Sequence, residues 1–444
     1  MATVDPDILP ATSSSMRGRE ASGSVLGTQL GYSCANLGKS VVWTSFESIM
    51  LFYLVSIAGF GPLAAGALLA VTLLWDAAFD LAVARWTDAR GGSQGLARLV
   101  LFGAPLCGMG FWLIFVLQAP VAVAAAIVAC RIGYSLCDVG HNTLLIRVAQ
   151  RPGDATRVSG LRLLFSASGV ALLALASGSS LSLADPQAQR QSLALAAMGG
   201  GALYVATLFV ALWATRRLAP PSCAPGRTGA PRPLRDYARN PDFRRLLLVI
   251  AAQAAFVPLF QRALPFYGAA VRGDAGWAGA ALLTVTLAQS LALPGWMAMA
   301  RRWSSHRIAM VAHGLAVLAM IGLTLAPTDR MDLMMLALLG AGLGGMNLAI
   351  WALLTATVRH AMAGGSQDEA TPVGLFLAVL KAAAAGGNLL FAAIVALGPV
   401  RLGWPGGGSV ALLTLSATIV PVLGSLIALV LLWGGRDRAP SDEA

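Results

Sequence analysis

The chain has 444 residues, 57% of them apolar and only 11% charged, with a mean hydropathy of +0.72 and a net charge of +11. A water-soluble domain carries about 25% charge, so most of this surface must face lipid, and at about 20 apolar residues per crossing the length predicts about twelve spans and no large soluble domain. The positive charge does not point to nucleic acid, because the basic residues lie between apolar runs rather than interleaved with aromatics on one surface.

Residues 1–27 hold Asp5, Asp7, Arg17, Arg19 and Glu20 among Ser and Pro, without the apolar core of a signal peptide, and read as a disordered cytoplasmic tail. Apolar runs then predict helices near 36–57, 62–86, 97–117, 120–146, 160–184 and 190–215. The segment 216–245, rich in Pro and Arg, is too polar to cross and reads as a linker. Six more helices are expected near 246–270, 275–299, 308–326, 331–358, 370–397 and 407–434, followed by a short tail at 435–444. The division predicts two six-helix bundles, 28–215 and 246–434, around a central cavity. RWTDAR at 85–90 after the second span and RWSSHR at 302–307 after the eighth give a faint internal echo.

Arginines mark one side. Arg85, Arg90 and Arg98, then Arg147, Arg151 and Arg157, the run Arg216 to Arg245, Arg301, Arg302 and Arg307, and Arg359 all follow even-numbered spans. Opposite connections carry at most one each. Positive charge favours the cytoplasm, so both termini are expected inside, in a bacterial inner membrane. The five cysteines, Cys34, Cys107, Cys130, Cys137 and Cys223, are scattered and have neither disulfide nor metal-ligand spacing.

Charge inside a span is costly unless it meets a cavity or a partner, so such residues are the candidates for function. The reading picks out Glu47, Asp76, Asp80, Asp138, Lys381 and Lys39. Asp76 and Asp80 lie four apart, one turn along one helix face, where mutual repulsion invites a proton or a monovalent cation; bracing against arginines is the structural alternative. Asp138 sits mid-span with Tyr134, Ser135, His141 and Asn142, and either lines a cavity or bonds helix to helix. His313 reads as a core residue. Lys381 reads as the second half's only clear buried charge and is expected to pair with a first-half carboxylate across the cavity.

The ordered motifs YSCANLGKS (32–40), WDAAFD (75–80) with TDAR (87–90), YSLCD (134–138), RLLFSASG (162–169) and VLKAAAAGG (379–387) resemble those of the glycoside–pentoside–hexuronide:cation symporters, the melibiose permease group of the major facilitator superfamily. That resemblance implies an all-α integral membrane fold of about twelve helices and cation-coupled symport of a small, sugar-like solute, with no enzymatic activity and no cofactor beyond a coupling proton or sodium ion. It implies Asp76, Asp80 and Ser135 as the cation site. Lys39, Glu47, Asp138, Asn142 and Arg162 would bind solute, Lys381 would couple the two sites, and Asp88, Arg90 and Arg98 would form a cytoplasmic gate.

Departures qualify the family expectation. Ser40 replaces a sugar-gripping carboxylate, and Asn142 replaces an aromatic. Phe79 replaces a polar residue that serves sodium, which favours protons. Glu47 is an addition, suited to a cationic solute or to a brace with Arg162 or Lys39. Export of amphipathic compounds and transport of lysolipid stay open as alternatives. A membrane enzyme is excluded by the lack of a paired-histidine metal motif, a phosphate-binding glycine loop or a nucleophile beside a base. The expected partners are a small-molecule solute and membrane lipid around a monomer.

Overall fold

The computed structural model describes residues 25–90, 96–142, 144, 148, 154–218, 233–325, 329–363, 370–397 and 407–433. Among them all regular structure is helical. Helix α1 runs Val25–Ser48 and, after a 53° bend at Ile49, Met50–Ile57. Then come α2 (Pro62–Arg90), α3 (Leu99–Val116), α4 (Pro120–Asn142), α5 (Asp154–Leu181) and α6 (Pro186–Thr215). A short helix, Leu234–Arg239, precedes α7 (Pro241–Arg272), α8 (Trp277–Ala300), α9 (Ser305–Leu325), α10 (Asp329–Ala363), α11 (Ala370–Leu397) and α12 (Gly407–Trp433).

Ten of these are long and apolar enough to cross a bilayer, and the bent α1 makes eleven among the described residues. In α12 the described apolar stretch, Ala417–Trp433, is shorter. The chain is therefore a multi-pass membrane protein, as the composition requires. Start signals agree with the helix ends. Asp185 caps α6 by accepting from the Ala188 amide at 2.9 Å, and Asn240 caps α7 by accepting from Asp242 and Phe243 at 3.0 and 3.2 Å, each cap followed by proline in the first turn. Helix α7 thus begins inside the stretch expected to be linker, and α1 begins within the expected tail.

Helices α1 and α7 are built alike. Helix α7 is interrupted at Val257 and Pro258, where the proline ring supplies no amide hydrogen, just as α1 is interrupted at Ile49. Each ends in a π-helical turn, Tyr53–Ile57 and Gly268–Arg272, followed by a glycine with positive φ, Gly59 at 77° and Gly273 at 70°. Only glycine takes that conformation without strain, so these two positions fix where the helices stop.

Helices α1 to α6 pack mainly on one another, as do α7 to α12, and the two groups meet along α2–α11, α5–α8 and α1–α7. The α2–α11 seam runs the whole helix length: a Cβ on Gly66 would lie 2.2 Å from the Ala392 Cβ at one end, and one on Gly374 would lie 2.4 Å from the Ala84 Cβ at the other. Helices α5 and α8 touch backbone to backbone at the end away from the arginine-rich loops, where Gly276 and Gly279 face Gly178. At that same end Phe52 meets Phe266 edge to face at 5.0 Å between centroids, and Phe266 meets Phe391 at 5.6 Å. The bundle is closed there.

Candidate functional site

Among the described residues four buried or half-buried ion pairs occupy the middle of the bundle. Asp76 of α2, fully buried, takes Arg131 on Oδ2 and the Ser135 hydroxyl on Oδ1, both residues one turn apart on α4. The Arg131 guanidinium is enclosed by the rings of Trp43, Phe46 and Tyr134 at 5.2, 5.1 and 5.6 Å. One turn along α2, Asp80 Oδ2 accepts from Lys381 Nζ of α11 at 2.6 Å, while its Oδ1, equally buried, has no hydrogen-bond partner among the described residues. The two acids expected to share one cation therefore each hold a cation of the protein's own, and the second bond crosses between the two helix groups.

The third pair is Lys39 of α1 with Asp138 of α4. It extends into a chain, since Asn142 donates to Asp138 Oδ1 at 3.2 Å and Arg162 of α5 donates to Asn142 Oδ1 at 3.2 Å. His141 is fully buried, stacked on Tyr32 at 4.4 Å with its Nε2 2.9 Å from the Tyr32 carbonyl, so it braces α1 against α4 and does not open to a cavity. The fourth pair joins Glu47 of α1 to Arg262 of α7 at 2.5 Å.

Arg131 and Arg262, absent from the candidates above, are 1% and 2% exposed, and Lys381 is not the second half's only buried charge: Arg262 is buried, as is Asp332, 3% exposed and paired with Arg272. Glu47 pairs neither with Arg162 nor with Lys39, because the break at Pro258 starts a new helical segment whose inward face carries Arg262 to it. Proline followed four residues later by arginine inside an apolar run was the available signal.

Asp88, near the end of α2, accepts from the first amides of α11, Ala370 at 3.1 Å and Thr371 at 2.6 Å, and so ties the two helix groups at the arginine-rich end. Arg98 is exposed in the turn before α3. The side chain of Arg90, like Cys223, lies outside the described residues. Cys34, Cys107, Cys130 and Cys137 are free thiols, with Cys107 and Cys130 3.8 Å apart at sulfur.

A cavity of about 650 Å³ lies between the two helix groups, within the range of about 300–1,000 Å³ usual for small-molecule sites. It reaches from Met320 and Leu339 in the interior to Gly160 and Met297 at the arginine-rich end, where Leu163, Leu164 and Met297 are exposed. Of the described ionisable residues named from sequence, only Glu47 lines it. Lys39, Asp138, Asn142 and Arg162 bond to one another beside it instead of facing into it. What does line it, and was missed, is a set of carboxamides: Gln253 and Gln261 on α7, Gln289 on α8 and Asn347 on α10.

A two-group helical bundle with a central cavity and ion pairs across its seam is a membrane transporter of the major facilitator fold. Residues 31–434 match the family model described as MFS/sugar transport protein, and the chain belongs to that family, whose members are transporters and not enzymes. The resemblance to glycoside–pentoside–hexuronide symporters fits it. The fold is similar to the crystal structure of the nucleoside transporter NupG (TM-score 0.63, 11% identity, covering 92% of this chain and 100% of that one). It is also similar to a bacterial homolog of the human lysosomal transporter Spinster, in an inward-facing and occupied conformation (0.59, 14%, 93% and 95%). A bacterial homologue of the human drug peptide transporters PepT1 and PepT2 matches as well (0.56, 11%, 92% and 98%). No match was found among curated proteins.

Proposed function

We propose that the protein is a cation-coupled secondary symporter that carries a small organic solute by alternating access, with the proton favoured over sodium, across a bacterial inner membrane with both termini cytoplasmic. The observation that carries this reading is the Asp80–Lys381 bond. A buried ion pair contributes little net stability, because desolvation offsets the attraction, yet breaking it on one side is costly. Placed between two helix groups, it is a bond whose making and breaking biases one conformation over another. A cation arriving at the unpartnered Oδ1 of Asp80 competes directly with Lys381.

Protons are favoured by the state of Asp76, whose two oxygens are already engaged by Arg131 and Ser135. A metal ion wants several oxygens at once, whereas a proton needs one. The open carboxylate oxygen at Asp80 is enough for it.

Asp80→Asn should separate binding from coupling. In proteoliposomes the variant is expected to exchange solute across the membrane at near the wild-type rate while an imposed proton gradient no longer drives accumulation. Full gradient-driven accumulation by the variant would refute the assignment.

The exposed leucines at the arginine-rich mouth favour a second reading, export of an amphipathic compound or movement of a lysolipid. Uptake measured against efflux in everted vesicles decides between the two.

A further inference from the structure

The geometry points to a solute site on the second helix group that accepts an uncharged ring solute dense in hydroxyl or amide groups, held by Gln253, Gln261, Gln289 and Asn347 between Trp43 and Trp351. It rests on the reading that the cavity is where solute is carried.

The carboxamides come first. Each offers two donors and an acceptor. All four line the cavity, and none of the four side chains has a hydrogen-bond partner among the described residues. On the same wall Thr286 and Ser290 are satisfied locally, each donating to the carbonyl four residues back, as Ser45 and Thr324 do elsewhere in the bundle. Four amides left unpaired along a mostly apolar wall are polar groups that the fold itself does not use. In small-molecule sites, a few such groups on an apolar lining fix orientation and selectivity.

Charge comes second. Among the described residues Glu47 is the sole ionisable side chain on the lining, and its Oε2 is matched by Arg262, which is 2% exposed. Behind the wall Asp76, Asp80 and Asp138 are matched one for one by Arg131, Lys381 and Lys39. The cavity is electrically balanced, so a charged solute would bring an uncompensated charge into a low-dielectric space, at a cost a neutral one avoids. This reverses the expectation of a cationic solute drawn from Glu47 alone.

The indoles come third. Trp43 stands on the first group and Trp351 on the second, the latter supported by Phe376 at 5.5 Å between centroids. Large flat faces of this kind pack against the apolar face of a sugar ring or against a base, while edge groups reach for amides. Of the residues that the family resemblance assigns to solute in the first group, Lys39, Asp138, Asn142 and Arg162 are bonded to one another and Glu47 is held by Arg262. Recognition moves to the second group.

The test uses the purified full-length chain and four probes of similar ring chemistry: glucose and uridine, both neutral, with glucuronate as the anion and glucosamine as the cation. Thermal midpoint and tryptophan fluorescence are read up to about 10 mM, above the usual KM range. At least one neutral probe should bind, and the charged analogues should bind roughly tenfold more weakly or worse. Gln289→Ala and Asn347→Ala should each weaken the neutral probe by roughly tenfold. The isosteric Gln289→Glu and Asn347→Asp, which keep the packing, should turn preference toward glucosamine. Binding by neither neutral probe, equal binding of charged and neutral probes, or unchanged affinity in all four variants would overturn the assignment. Selective neutral binding without gradient-driven uptake would leave this site standing and remove the symport reading instead.

Discussion

Lys381→Ala should leave a carrier that equilibrates its solute across the membrane but no longer concentrates it. Lys381 is 4% exposed and holds Asp80 at 2.6 Å from the other helix group. Removing the ammonium leaves a carboxylate among apolar side chains, a change that costs about 3–5 kcal/mol for a buried pair, or about a hundredfold or more in the ratio of two conformations. The carboxyl group then stays protonated through the cycle and carries nothing. Accumulation under an imposed proton gradient should fall to the level of empty vesicles, while exchange of labelled solute persists. The double variant Lys381→Ala with Asp80→Asn should recover thermal stability without recovering accumulation. Concentrative transport by the single variant would show that this bond plays no part in coupling.

Arg131→Met should be the most destabilising single change in the ion-pair layer. The guanidinium is closed in by Trp43, Phe46 and Tyr134 and bears on the fully buried Asp76. Methionine fills much of the volume but leaves Asp76 with one hydroxyl for company, a loss of about 3–5 kcal/mol. Replacing both members of a buried pair by neutral groups is often close to neutral, so Arg131→Met with Asp76→Asn should regain most of that loss. Thermal unfolding in detergent measures both. A single variant as stable as wild type would mean that Asp76 is already uncharged without Arg131.

The spans were legible because a bilayer imposes length and greasiness on every one of them, and the i, i+4 spacing of Asp76 and Asp80 placed both acids on one face of α2. Their partners were harder to read. Asp80 meets a lysine 301 positions away, a contact set by packing of α2 on α11 and by no local pattern. Arg131 and Arg262 escaped because arginine served as the marker of loops, although both lie deep inside spans. The bend of α1 at Ile49 carries no proline to announce it, whereas Pro258 in α7 did. The carboxamides on the cavity wall went unnoticed because glutamine and asparagine cost a span much less than a charge, so hydropathy does not single them out. The family resemblance selected Lys39, Glu47, Asp138, Asn142 and Arg162; Glu47 lines the cavity, and the fold brings the other four together beside it.

Proton movement itself is the direct test of coupling. Adding solute to lightly buffered proteoliposomes that hold the protein should turn the outside medium alkaline as solute and protons enter together, and Asp80→Asn should abolish the signal while retaining solute exchange. Solute entry with no change of external pH and no dependence on sodium would contradict cation-coupled symport.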